Sequence, residues 1–195
     1  MQLEPTPVEL RWPVFGDRVQ RDCRYRLYSA LISKIPELKS MLYQLGGFTG
    51  TPDGAFLKLG RSSELVVRCR VADIAAFAAL DNQVIEIGQS LVRLGELTGA
   101  ELEHQEALSS DLVIIKLMES TRIEKTKFAI SLGKQLHQLE IQEVPEIGDR
   151  SSILIKGQHI IGYSVFFERL SPIESLKLQS LGLGGKRRMG CGVFG

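Results

Sequence analysis

The chain has 195 residues, 44% hydrophobic and 24% charged, with a formal net charge of +1. That length holds one domain or two small ones, and the composition is that of an ordinary globular protein. The near-zero charge excludes a globally basic nucleic-acid binder and confines any such function to a local patch. Three cysteines, Cys23, Cys69 and Cys191, stand far apart with no Cys-x-x-Cys, as expected of reduced thiols in a cytosol. No apolar run approaches the ~18 residues of a membrane span. Glu4, Pro5 and Pro7 interrupt any signal-peptide pattern, so the expected setting is cytoplasmic, with no membrane partner.

Val8 to Phe15 alternates, with Leu10, Trp12 and Val14 on one face, and predicts a first strand. Pro13 within it points to an edge or a bulge. Gly16-Asp17 then turns the chain into a basic stretch carrying Arg18, Arg21, Arg24 and Arg26. Asp22 is placed to cap a helix running to about Ile35, where Pro36 ends it. Short strands are expected at 41–45, 55–59 and 64–71, among turns at Gly46-Gly47 and Pro52-Asp53-Gly54. An alanine-rich helix at 71–80 and a hairpin of 83–87 and 90–97 complete the first half. The order β, α, β, β, α, β with an added hairpin is the split βαβ, or ferredoxin-like, arrangement.

The second half repeats it. An apolar strand at 111–118 precedes a helix at 121–139, in which Phe128, Leu132, Leu136 and Leu139 recur at helical spacing. Strands at 152–156 and 160–167 flank Gly157. Ser171-Pro172-Ile173-Glu174 reads as a capping box with proline in its preferred first turn, and Gly182 ends that helix. A last strand is expected at 190–194. The fold class is therefore α+β, two tandem ferredoxin-like (RRM-like) βαββαβ units, with 1–99 as the first and 100–195 as the second.

The residues from Leu181 onward hold two Gly-x-Gly pairs, Gly182/Gly184 and Gly190/Gly192, around Gly185-Lys186-Arg187-Arg188. Glycine lets a backbone approach a ligand closely, and successive N–H groups can form a concave nest for an anion. The three cations make phosphate the natural guest. Spacing excludes the two familiar phosphate loops. A Rossmann fingerprint needs glycine where Arg187 stands, and a Walker loop needs glycine at Ser180 and Ser or Thr at Arg187. The stretch reads either as a solvated glycine-rich tail or as a loop between ordered elements; the capped helix before it favours the loop.

Gly182-Leu183-Gly184, five residues, then Gly190-Cys191-Gly192 resembles the glycine-rich loop of the CRISPR precursor-RNA processing endoribonucleases. The chain is similar in particular to their small subgroup named after Myxococcus (MYXAN). Asp22-x-x-Tyr25-x-Leu27-Tyr28, Ile114-Ile115-Lys116-Leu117 and Glu174-Ser175-Leu176 through Phe194 carry that likeness. The resemblance spans essentially the whole chain. It implies tandem ferredoxin-like folds and binding of CRISPR repeat RNA hairpins. It also implies metal-independent cleavage by 2′-hydroxyl attack, leaving a 2′,3′-cyclic phosphate and a 5′-hydroxyl. Relatives of this kind stay on the hairpin as effector-complex subunits, which would be further partners. No cofactor or metal is implied.

Where the subgroup is expected to read Asp-His-x-Tyr, this sequence has Asp22-Cys23-Arg24-Tyr25. Cys23 thus takes the place of a catalytic histidine. A helix N-terminus beside Arg21 and Arg24 would depress a thiol pKa, so Cys23 is one candidate catalytic residue and Tyr25 the other. The alternative is a repeat-RNA-binding subunit with weak cleavage or none. The RNA-binding candidates are Arg18, Arg21, Arg24, Arg26, Gly182, Gly184, Gly185, Lys186, Arg187, Arg188, Gly190 and Gly192. Phe48 offers a ring to an unpaired base. His104, His137 and His159 stand apart from one another and from other ligands at metal spacing, so no metal site is expected.

Overall fold

The computed structural model describes residues 7–115 and 124–195 and divides into two units, Met1–Leu102 and Glu103–Gly195. In the first unit the predicted alternation holds: β1, Val8–Phe15, buries Leu10, Trp12 and Val14. The helix α1, Arg24–Lys34, buries Leu27, Leu31 and Ile32 and ends before Pro36. Its N-cap is Cys23, with no side-chain cap; Asp22, the expected cap, instead lies 3.5 Å from Arg24 as an ion pair.

The remaining strands of this unit are β2, Arg18–Gln20; β3, Tyr43–Phe48; β4, Thr51–Asp53; β5, Phe56–Lys58; and β6, Glu64–Cys69. After the short helix α2, Ile74–Phe77, come β7, Val84–Ile87; β8, Ser90–Leu94; and β9, Thr98–Glu101. The main sheet runs β3-β6-β1-β8-β7, every pairing antiparallel. Taking β1, β3, β6 and β8 as the four strands of a βαββαβ unit, their spatial order is the ferredoxin-like 4-1-3-2. Trp12 anchors the helix side. Its ring lies 6.5 Å from that of Phe77, and its Nε1 donates to Asp81 Oδ1 at 2.9 Å.

Pro13 resolves differently from an edge. Strand β1 is central, and its pairing passes from Val14↔Leu94 on β8 to Arg11↔Thr98 on β9 with a one-residue offset. Pro13 O accepts the Gly95 N–H at 2.7 Å inside that break. The donor that proline lacks therefore falls opposite an irregularity rather than a ladder rung. A boundary at 99/100 would cut β9, which pairs with β1; the observed division follows it. Strands β2, β5 and β4 form a separate three-stranded sheet, of which only the middle piece was expected from sequence.

The second unit comprises β10, Leu108–Val113; α3, Lys125–Gln138; β11, Glu146–Ile155; β12, Gln158–Phe167; and α4, Pro172–Leu181. Strand β10 begins earlier than expected, and the predicted continuation to 118 and helix start at Thr121 lie outside the described residues. Helix α3 buries Phe128, Leu132 and Leu136, the expected stripe. The sheet order is β10-β12-β11. Residues 190–194 are not a regular strand, because Gly190 and Gly192 hold positive φ of 76° and 65°. They nevertheless lie antiparallel to β10: Ser109 and Gly195 exchange backbone hydrogen bonds, and Gly192 N donates to Leu112 O. The terminal segment thus completes the same 4-1-3-2 order.

The capping box of α4 is present in full. Ser171 Oγ accepts from Glu174 N, and Glu174 Oε2 accepts from Ser171 N at 3.0 Å. The other carboxylate oxygen accepts from Gln142 N at 2.6 Å, fastening α4 to the segment after α3. Hydrogen bonds from Ser171 Oγ, then from Gln142 N, hold the Glu174 pKa down to about 2. A carboxyl depressed on folding stabilises the native state above its unfolded value and loses that contribution as pH falls through the folded value. Acid unfolding between roughly pH 4.5 and 2 should therefore be shallower in Glu174→Gln than in the parent, and Glu174→Ala should cost about 1 kcal/mol at neutral pH. Denaturant melts across that range, read by circular dichroism, check both.

Candidate nucleic-acid interface

The glycine loop is built by its conformation. Gly182, Gly184, Lys186, Gly190 and Gly192 all hold positive φ, between 61° and 76°. The chain can thereby leave α4, double back and press against β10. A Cβ on Gly184 would collide with Ile114 O, and one on Gly192 with Leu183 O. Gly185 pairs with Ile114 and has nothing nearer than 3.9 Å to an added Cβ.

The anion nest read from sequence is corrected by the hydrogen bonds. Gly182 N donates to Leu178 O, Gly185 N to Ile114 O, Gly190 N to Arg187 O and Gly192 N to Leu112 O. Gly184 N donates to Gln135 Oε1 at 2.8 Å. All five glycine amides are spent inside the protein, so they shape the loop rather than hold an anion. Lys186 and Arg187 are exposed at the turn, and Arg188 is half-buried. Arg187 Nη1 also donates to Leu181 O at 2.7 Å, covering a carbonyl at the end of α4. Gln135, which braces the loop from α3, was not read from sequence; its only signal was a polar residue beside the Leu132–Leu136 stripe.

Gly192→Ala should destabilise the second unit by about 2 kcal/mol or more, since alanine must hold a left-handed φ and displace Leu183. Gly185→Ala, without either penalty, should melt near the parent. Thermal unfolding of the two variants side by side checks the contrast; equal melting temperatures would remove the packing role assigned to Gly192.

In the first unit, Arg18, Arg21 and Arg26 are exposed, and Arg24 and Tyr25 half-buried, around β2 and the first turn of α1. Arg18 lies over the Phe56 ring, 4.3 Å from its centroid, and 4.0 Å from Asp17. Arg26 Nη1 donates to Gln20 Oε1. Tyr25 stacks on Tyr28 with centroids 6.4 Å apart. Phe48 packs partly buried against the unit's core.

Cys23 is not the activated thiol that its neighbours suggested. It is 7% exposed and packs within the core, and burial pushes its pKa up to about 11, outweighing the nearby Arg24 and Arg26 charges. Desolvation penalises a thiolate more than partly exposed guanidinium groups favour it. The histidines stay apart: His104 Nε2 lies 3.4 Å from Leu170 O, His159 Nδ1 3.3 Å from Ser152 Oγ, and His137 is in α3. Among the described residues, no three His, Cys, Asp or Glu side chains cluster to hold a metal, and no helix is long and apolar enough to cross a membrane.

Two ferredoxin-like units in tandem, the second closing on a basic glycine loop, define a tandem ferredoxin-like protein. A family model described as Cas6 CRISPR matches residues 8–195, and the chain belongs to that family. It is 30% identical over 191 residues to the CRISPR-associated endonuclease Cas6 of Myxococcus xanthus strain DK1622, covering 96% of this chain and 80% of that one. Among solved structures, it superposes on a CRISPR associated protein Cas6 with a TM-score of 0.67 at 14% identity, over 98% of this chain and 99% of the other. A structure described as an RAMP protein binding different RNA substrates gives 0.67 at 12% identity, over 96% and 98%. At such identities the likeness speaks to the fold.

Proposed function

We propose that the protein binds the hairpin of CRISPR repeat RNA, cuts the precursor transcript within the repeat, and then stays on the hairpin as a subunit of an effector complex. In this reading Lys186, Arg187 and Arg188 hold phosphates from the glycine loop, and Arg18, Arg21, Arg24 and Arg26 supply a second set in the first unit. The observation that carries it is the loop itself: a backbone locked by internal hydrogen bonds, leaving Lys186 and Arg187 as exposed cations.

Cleavage needs a base near a 2′-hydroxyl, an acid near the leaving 5′-oxygen, and positive charge for the phosphorane, with no metal in the step. The 2′-oxygen forms a bond to phosphorus as the bond to the 5′-oxygen breaks, and the proton lost by the first is balanced by one gained by the second. Tyr25 and the arginines around it supply hydrogen bonds and charge. Cys23 occupies the position of the proton carrier, but a thiol protonated at neutral pH makes a poor base. A second reading, a repeat-RNA-binding subunit that cuts slowly, draws support from that burial.

Repeat RNA incubated with the protein in EDTA separates the two readings, with a 2′-deoxy substitution at the scissile nucleotide as control. Cleavage in EDTA that the 2′-deoxy change abolishes is expected. Tight binding with no product would leave the binding reading, and loss of cleavage on chelation would overturn the metal-free step.

A further inference from the structure

The helices of the first unit cover one face of its main sheet, and Phe15 belongs to the other. Leu10, Trp12 and Val14 face the core, so Glu9, Arg11, Pro13 and Phe15 point the opposite way. In RRM-type sheets, bases stack on aromatic residues near the middle of that open face. Here the middle is taken by ion pairs. Arg11 Nη1 reaches Glu64 at 2.7 Å, Arg11 Nη2 reaches Glu9 at 2.5 Å, and Arg68 Nε reaches Glu9 at 2.7 Å. Burial alone would raise the Glu9 pKa, but the charges and hydrogen bonds of Arg68 and Arg11 outweigh it and lower the value. This cluster is self-neutralised and offers no ring.

The rings lie at the end of β1. Phe15 is 49% exposed, and Arg93, its register partner on β8, holds its guanidinium 4.1 Å from the ring centroid. Three residues on, Arg18 holds its own guanidinium 4.3 Å from the centroid of Phe56. Leu91, two residues before Arg93 and on the same face, is 67% exposed. The turn between the two pairs is tightly fixed. A Cβ on Gly16 would come within 3.2 Å of Leu91 O and 3.3 Å of Leu59, and Asp17 O accepts from Leu59 N at 2.9 Å. Three residues span at most ~11 Å, so one short run of chain presents two arginine–aromatic pairs. Asp17 is turned to Arg18, Asp53 is the register partner of Phe56, and Glu86 is that of Leu91.

We infer that Phe15 with Arg93, and Phe56 with Arg18, form a stacking platform for unpaired nucleotides flanking the repeat hairpin. The inference rests on the RNA-binding reading above and deepens it by naming a second RNA element and the residues that take it. A ring and a guanidinium each offer a base a flat face, and the guanidinium edge reaches the adjoining phosphate. The flat faces select this occupant over an apolar protein segment. Arg18, Lys58 and Arg93 balance Asp17, Asp53 and Glu86 around the two rings, so the ring and guanidinium surfaces rather than net charge favour a base. Stacking on rings is tolerant of base identity, so the platform contributes affinity for single-stranded RNA without fixing its sequence.

Three probes test it: the repeat hairpin alone, the same hairpin with an unpaired oligoadenylate flank at either end, and free oligoadenylate. Fluorescence anisotropy is measured for the parent and for Phe15→Ala and Phe56→Ala, singly and together. Phe15→Leu and Phe56→Leu keep apolar volume while removing the ring, and carry the test if an alanine variant melts early. Each ring lost should weaken binding of flanked hairpin and free oligoadenylate about tenfold, leucine and alanine alike, and leave the bare hairpin unchanged. The salt dependence should stay the same, because a ring releases no counterions, whereas Arg18→Ala and Arg93→Ala should each make it shallower. Equal losses on all three probes, or none on the flanked hairpin, would overturn the platform. If the flank adds nothing while the hairpin binds, the platform falls and the hairpin reading stands. Ring-dependent binding of oligoadenylate by a protein that ignores the hairpin would sustain the platform and remove the hairpin reading.

Discussion

Cys23→His is expected to raise the single-turnover rate of repeat cleavage about a hundredfold, within the range that a positioned general acid or base supplies. The reason is protonation. With its pKa pushed up to about 11 by burial, the thiol is almost wholly neutral at pH 7 and accepts no proton. An imidazole titrates near ~6.5 and serves in both directions at that pH. The position is the N-cap of α1, flanked by Arg21 and Arg24, so the ring would enter beside the cations proposed to hold the phosphate. The variant's rate should acquire an inflection below imidazole's ordinary pKa, because burial at this position and the nearby arginines both disfavour the imidazolium. Cys23→Ala should stay within about threefold of the parent, since little proton transfer is lost with the thiol. Quenched time courses in EDTA, across pH 5 to 9, provide the measurement. A histidine variant no faster than the parent would place cleavage elsewhere in the molecule.

Replacing Lys186, Arg187 and Arg188 together by alanine should weaken repeat-RNA binding by about a thousandfold or more near physiological salt, at about 1.5–3 kcal/mol for each charge-assisted contact. The slope of log affinity against log salt should become shallower by about 0.9 for every phosphate contact removed. Arg187 also donates to Leu181 O at 2.7 Å, so its loss leaves a helix-end carbonyl uncovered. Lys186→Ala alone, free of that complication, should show one contact's share of both effects at an unchanged melting temperature. Filter binding or anisotropy over a salt series reads affinity and slope together. An unchanged slope in the triple variant would show that RNA does not meet this loop.

Much of the fold was legible because its periodicities are strong. Leu10, Trp12 and Val14, the Phe128–Leu132–Leu136 stripe and the Ser171–Glu174 box each produced the element they predicted. What failed was local reading of long-range partners. Pro13 pointed to an edge or a bulge, and nothing nearby in sequence chooses between them; the one-residue break between β8 and β9 opposite it fits the second. The strands β2 and β4 are three residues each and hold only through pairing with β5, too short for any periodic signal. Asp22 had the right chemistry for a cap, yet its carboxylate pairs with Arg24.

The candidate site divides in the same way. The glycines and cations of the loop, and their place between a capped helix and the terminal segment, were determined by sequence, because positive φ, capping and charge are properties of residues and their near neighbours. Only the tertiary structure decided what each then does. The amides of Gly184, Gly185 and Gly192 turn inward because β10, the adjoining Ile114 and Gln135 supply acceptors far away in sequence, which leaves the exposed Lys186 and Arg187 side chains as the loop's candidate RNA contacts. Cys23 is likewise defined by what packs around it: desolvation depends on the whole core, and it reverses the pKa shift that adjacent arginines alone would produce.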